Sequence, residues 1–197
     1  MKPLALPTTI LGCFGIALLI LLVLSLIAYR NIHLAFDTSR GVAHTHEVLA
    51  DLEKCLSLLT DAETGQRGYI ITGDEHYLKP YQAAVARISQ DLTELQRLTA
   101  DNPNQQQRLA TLEPLITQKL AGLEERINLR TAQGFAAAQE AVRTGQGKQQ
   151  MDAIRAIIQD MQREEHSLLQ QREAAAAVSA RATLWTCLLY TSDAADE

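Results

Sequence analysis

The stretch Val48-Leu49-Ala50-Asp51-Leu52-Glu53-Lys54-Cys55-Leu56-Ser57-Leu58-Leu59-Thr60-Asp61-Ala62 decides the fold. Val48, Leu52, Cys55, Leu59 and Ala62 recur at alternating spacings of four and three, which places them on one stripe of a helix with 3.6 residues per turn. A half-buried strand would instead alternate every second residue. Toward the N-terminus the helix is predicted to continue without a break into an apolar run. Toward the C-terminus it is predicted to stop near Thr72-Gly73, where glycine supplies a left-handed residue.

The same periodicity marks three more helices. Asp74 is a good N-cap for a second helix, with Glu75 favourable near its positive end. That helix carries Tyr77, Tyr81, Val85, Ile88, Leu92 and Leu95 and stops at Asp101-Asn102-Pro103-Asn104. Asn102 as N-cap, Pro103 at the first helical position and Gln105 three after the cap start a third helix. Its stripe is Leu109, Leu112, Ile116, Leu120, Leu123 and Ile127; Pro114 falls inside and should kink it. It fades through Gly134 toward the turn Gly145-Gln146-Gly147. A fourth helix from Lys148 shows Met151, Ile154, Ile158, Met161, Glu165, Leu168 and Arg172 at heptad spacing. Four amphipathic helices joined by short turns predict an all-α, up-down-up-down four-helix bundle.

Composition agrees. The chain has 197 residues, a net charge of −5 and only 5% aromatic residues, while Ala, Leu, Gln, Glu and Arg abound. Such a balance favours long helices over sheets. Charges of both signs are interspersed, with no basic stripe, so nucleic acid is not an expected partner. Cys13, Cys55 and Cys187 are too scattered for a disulfide framework. Cys55 is read as a small core residue, with an intermolecular bridge as the less favoured reading.

Residues 10–28 are 19 in a row without a charge, mostly Leu, Ile and Ala. At about 1.5 Å per residue a helix of that length just crosses a hydrocarbon core of about 30 Å. A cleaved signal peptide would have a shorter apolar core and a small-x-small exit. The exit Leu26-Ile27-Ala28-Tyr29-Arg30 places a bulky residue there, and Tyr29 and Arg30 suit an interfacial anchor. An uncleaved N-terminal transmembrane helix is therefore expected, with the lipid bilayer as a partner. Lys2 is the only charged side chain before it, so charge alone leaves the orientation open.

After Arg181 a second apolar run opens with Trp185 and dies after about nine residues, too few to cross. The string from Cys187 to Glu197 resembles the translation of a transposase adapter used in sequencing libraries, and it is excluded from fold reasoning. The alternative is a genuine polar C-terminus. The expected organisation is residues 1–9 as a cytoplasmic N-terminus, 10–28 as the membrane helix and 29–182 as an extracytoplasmic sensor domain. Residues 183–186 would begin a truncated second membrane helix, and 187–197 would be the adapter-derived scar.

The segment Asp61-Ala62-Glu63-Thr64-Gly65-Gln66-Arg67-Gly68-Tyr69-Ile70-Ile71-Thr72-Gly73-Asp74 carries the most information. Two glycines inside a helix cost about 1 kcal/mol each relative to Ala, so they need a reason. Gly65 and Gly68 share a face that lets another helix approach, and Glu63 and Arg67 are an i,i+4 pair in the favourable order. The structural reading is a tight helix crossing fixed by a charge pair. The functional reading is a ligand site with Arg67 binding an anion. From the residues alone the structural reading is favoured, and the ligand is unknown.

The segment resembles the CHASE sensory domains of the third type, found outside the membrane in bacterial receptors. The matching residues are Glu63, Thr64, Gly65, Gln66, Arg67, Gly68 and Tyr69, then Thr72, Gly73 and Asp74, then Tyr77 and Leu78. Glu164, Glu165, Leu168, Leu169 and Arg172 look like that family's closing signature. The resemblance covers about residues 33–181. It implies an extracytoplasmic bundle between two membrane helices in the bacterial inner membrane. It also implies a cytoplasmic output, most often a histidine kinase, less often a diguanylate cyclase, a nucleotide cyclase or a chemotaxis-type module. A homodimer, and an unknown extracytoplasmic stimulus or protein, are implied in the same way.

No catalytic, cofactor or metal site is read from the residues. His44 and His46 sit about 200° apart around a helix and cannot share one metal. His166 precedes the expected second membrane helix, so it is given no phosphoacceptor role. Neither a phosphate loop, a Cys-x-x-Cys nor a nucleophile elbow occurs. The expected function is the sensory input domain of a transmembrane receptor, foremost a two-component sensor histidine kinase. The alternative is a membrane-tethered helical scaffold that recruits a partner without catalytic output.

Overall fold

The computed structural model describes residues 8–193, and these are organised as five α-helices and one 3₁₀ turn. Helix α1 spans Thr8–Thr72, α2 Lys79–Leu98, α3 Pro103–Gln133, α4 Phe135–Arg143 and α5 Gln146–Asp193. The 3₁₀ turn is Glu75–Leu78. The fold is all-α; no strand occurs among the described residues. Most of the predicted N-terminal segment 1–9 and the last four residues of the tail lie outside the described residues.

The chain divides into two units, one of residues 1–43 with 169–197 and one of residues 44–168. In the first, the N-terminal part of α1 is long and apolar enough to cross a membrane, and none of that part is buried. Among the described residues nothing covers these side chains, the arrangement a lipid-facing helix requires. α5 remains helical through Asp193, beyond the point where its apolar run ends.

In the second unit one core is shared by four helices. α1 contributes Val48, Leu52, Cys55 and Leu59, α2 Ile88, Leu92, Leu95 and Leu98, α3 Leu109, Leu112 and Ile116, and α5 Met151, Ile154, Ile158 and Met161. Burying each such side chain stabilises the fold by about 1.5–3 kcal/mol. Cys55 is a free thiol inside this core. Burial first, and then the charge of Asp91, pushes its pKa up to about 12.

The helix boundaries match the sequence signals at some ends and depart from them at others. α1 stops where expected: Gly73 takes φ 75°, and its N–H reaches Tyr69 O at 2.8 Å. Asp74 does act as a cap, accepting from His76 N at 2.9 Å, but it caps the 3₁₀ turn rather than α2. Pro80 has no N–H to give His76 O, so a continuous α-helical ladder cannot pass from the turn into α2. Of the stripe predicted for the second helix, Tyr77, which falls in the 3₁₀ turn, and Val85 on α2 are exposed, while Ala84 is buried. Ala84 packs with Ala62 of α1 and Leu123 of α3 in a second, smaller cluster.

Asn102 caps α3 through Asn104 N and Gln105 N. Gln105 does not return the bond; its amide turns inward to Met161 O and Glu165 Oε1. Pro114 does not end α3. It and Ala110, whose carbonyl loses the proline's missing N–H as a donor, both lie on the exposed side of the helix, open to solvent. The expected fade of α3 is instead a stop at Gly134, which holds φ 86°, followed by a separate short helix, α4. α5 begins at Gln146, two residues before the predicted start.

Candidate functional site

The Glu63–Asp74 segment forms the last turns of α1 and the corner after it. Gly65 and Gly68 face the 3₁₀ turn and the start of α2. A Cβ at Gly65 would run into Tyr77 O, and one at Gly68 would lie 2.5 Å from Tyr77 Cδ1. The neighbour that needs the missing side chains is thus this corner rather than a second long helix. Thr64 is exposed. Tyr69 is buried, and its hydroxyl donates to Thr131 Oγ1 at 2.8 Å, since Thr131 itself donates to Ile127 O. Arg130 Nε donates to Ile70 O at 2.8 Å, a cation at the negative end of α1. Thr72 Oγ1 donates to Gly68 O and accepts from Asp74 N, which completes the corner.

The other face of the same turns holds a charge cluster, buried apart from the exposed Arg67, that periodicity alone does not reveal. Arg67 donates to Glu63 Oε1 at 2.7 Å, and Lys119 Nζ lies 3.1 Å from Glu63 Oε2. Lys119 is 0% exposed and also donates to Gly147 O at 2.9 Å. Burial draws its pKa below the ordinary lysine range, and Glu63 only partly opposes this. Arg126, 5% exposed, donates to Gly122 O at 2.6 Å and forms no ion pair among the described residues. Gln66 is 2% exposed, and its Nε2 has no acceptor; Gln150 Oε1 likewise has no donor. Glu63, Gln66, Arg67, Lys119 and Arg126 line one small cavity of about 40 Å³. Lys148, paired with Asp152, lies at its edge.

The spacing that places Ile116 and Leu123 in the core places Lys119 and Arg126 there too, at steps of three, four and three. A cation on an apolar stripe is the signal that marks them in the sequence, and a search for apolar residues alone passes over it.

The closing signature lies elsewhere in the fold. Glu164 accepts from Asn102 Nδ2 at 2.8 Å and pairs with Arg108, which ties α5 to the first turns of α3. Burial would raise its pKa, but the hydrogen bonds from Arg108 and Asn102 outweigh this and hold it below the usual carboxylate range. Glu165 is buried and takes the Gln105 amide at 2.8 Å. Leu168 and Leu169 are half-buried. Arg172 Nη1 donates to Gly41 O at 2.7 Å within the first unit. The bonds of Glu164 and Glu165 thus go to Asn102, Gln105 and Arg108 and not to the Glu63–Asp74 segment. Among the described residues no group of three or more His, Cys, Asp or Glu could hold a metal ion.

Comparison with known proteins agrees with this architecture. The model of the CHASE3 domain matches residues 38–175. The crystal structure of the Rhodopseudomonas palustris histidine kinase HK9 sensor domain superposes with a TM-score of 0.59 at 24% identity, covering 64% of this chain and 98% of that one. That likeness establishes the fold. Among curated proteins, none matches the chain.

Proposed function

The chain belongs to the CHASE3 domain family, extracytoplasmic sensory domains of receptors, and from that premise we propose that its receptor is a two-component sensor histidine kinase of the bacterial inner membrane. One observation carries the reading. A single helix, Thr8–Thr72, contains both the apolar stretch fit to cross a membrane and the Glu63–Thr72 turns that hold the buried charge cluster. A change in packing around those turns acts on the same helix that carries the apolar stretch. α5 offers a second such route through Leu168, Leu169 and Arg172. The functional unit is a homodimer, since a kinase of this class phosphorylates across one.

The reading is tested by following the gene past the codon for Thr186 and assaying the intact receptor in membrane vesicles with ATP. A second membrane span, a kinase module and phosphate labelling on a histidine are expected. A reading frame that leads into a diguanylate cyclase or a chemoreceptor module, or that carries no output module at all, would overturn the kinase assignment.

A further inference from the structure

The charge cluster of the second unit has more positive charge than its protein groups neutralise. Glu63 supplies one carboxylate, and Arg67 and Lys119 already share it. Arg126 is desolvated beside them with only a backbone carbonyl as acceptor. An uncompensated buried charge is costly, and a guanidinium presents a planar fork of donors suited to a carboxylate. Gln66 adds a buried amide donor without an acceptor to the same cavity. A water molecule would satisfy the Gln66 amide but would leave the Arg126 charge unmatched.

Next to this cavity lies an apolar groove of about 220 Å³, formed by Ile70, Ile71, Phe135 and Val142 with Arg67 and Gln139 at its rim. Ile71, Phe135 and Val142 are exposed although large and apolar, and Ile71 is 71% so. Arg67 and Val142 belong to both the cavity and the groove. Cationic pocket and apolar groove are therefore contiguous, with Arg67 at their junction. The short helix α4 supplies the groove's far wall, a role for an element that contributes only Ala138 to the buried residues.

We propose that this pair of sites binds a small organic carboxylate with an apolar body, its carboxylate taken by Arg126, Arg67 and the Gln66 amide and its body laid against Ile71, Phe135 and Val142. The inference rests on the sensory reading above and supplies its ligand class. Bidentate guanidinium–carboxylate pairing sets the orientation, and the groove selects against acids with no apolar portion. Lys119 stays on Glu63 and fixes the floor of the cavity.

The test is calorimetric titration of the full chain in lipid nanodiscs with benzoate, hexanoate, acetate and inorganic phosphate. Saturable binding of benzoate or hexanoate is expected, with acetate weaker by about tenfold or more. Arg67→Gln, at an exposed position, and Phe135→Ser should each weaken that binding by about tenfold. Arg126→Met should abolish it, and the other two variants carry the test if that one fails to fold. No saturable binding of either apolar acid, binding unchanged in Arg67→Gln and Phe135→Ser, or phosphate binding as tightly as benzoate would each overturn the proposal. Apolar acids that bind without altering kinase output would sustain the site and count against the sensory reading. An intact receptor that signals while no acid binds would sink the site alone.

Discussion

Gly65 and Gly68 stand three residues apart on α1, yet a methyl group added at each meets a different kind of neighbour. At Gly65 it meets a backbone carbonyl, Tyr77 O, which cannot move alone; at Gly68 it meets the Tyr77 ring, which is half-exposed and can swing aside. Gly65→Ala should therefore destabilise the fold by about 2 kcal/mol despite alanine's better helix propensity. Gly68→Ala should change stability by less than about 1 kcal/mol, and urea unfolding of the two variants separates the cases. The charge cluster gives a second contrast. Removing the counter-charge with Glu63→Gln strands buried Lys119 and should cost about 3 kcal/mol, whereas Lys119→Met should stay within about 1 kcal/mol of the parent at neutral pH. Because burial draws the Lys119 pKa down, the unfolded chain keeps that proton to higher pH than the folded one. Stability contributed by this group rises as pH climbs from the lowered folded value to the ordinary lysine range, and Lys119→Met should lose that rise. Which residues form the cluster is only half legible in the sequence. Glu63 and Arg67 announce themselves by their i,i+4 spacing. Lys119 and Arg126 are hidden because a periodicity search counts apolar residues and skips the cations between them.

Among the helices, legibility depends on whether one local rule acts alone. The α1 stripe from Val48 to Ala62 is buried throughout, since apolar period and helix propensity agree there. The start of α2 is misplaced in the sequence reading because Asp74 signals a cap while Pro80, six residues on, forbids the ladder from continuing. α4 escapes notice because it runs for only nine residues, Phe135–Arg143, too short for a stripe to be followed over several turns. The Gln105 signal reads as a local capping box, but a buried partner on α5, Glu165, competes for the same amide. The contact of Glu164 with Asn102 and Arg108 is a tertiary bond that no local pattern encodes. Its energetic role is testable through pH. The folded-state pKa of Glu164 lies below its unfolded value, so its contribution is present above the ordinary glutamate range and is lost as pH falls through the folded value. Glu164→Gln should cost about 1–2 kcal/mol at pH 7, a difference that shrinks as acid protonates the folded-state carboxylate, as followed by helical circular dichroism across pH.

For the protein in its entirety, fold class is the most legible property because length, low aromatic content and four apolar stripes all point to packed helices. Function is legible only through the Glu63–Asp74 motif, whose residues serve a corner of the fold and a charged cavity at once. Sensing, in this reading, depends on packing changes around those turns reaching the membrane through the unbroken register of α1. Inserting one alanine between Arg30 and Val48 of the intact receptor, and measuring autophosphorylation in vesicles, probes that dependence. One extra residue rotates the helix by about 100°, whereas seven restore its phase to within about 20°. The single insertion should lock or abolish regulated kinase output and the seven-residue insertion should largely restore it; regulated output left intact by the single insertion would refute transmission through α1.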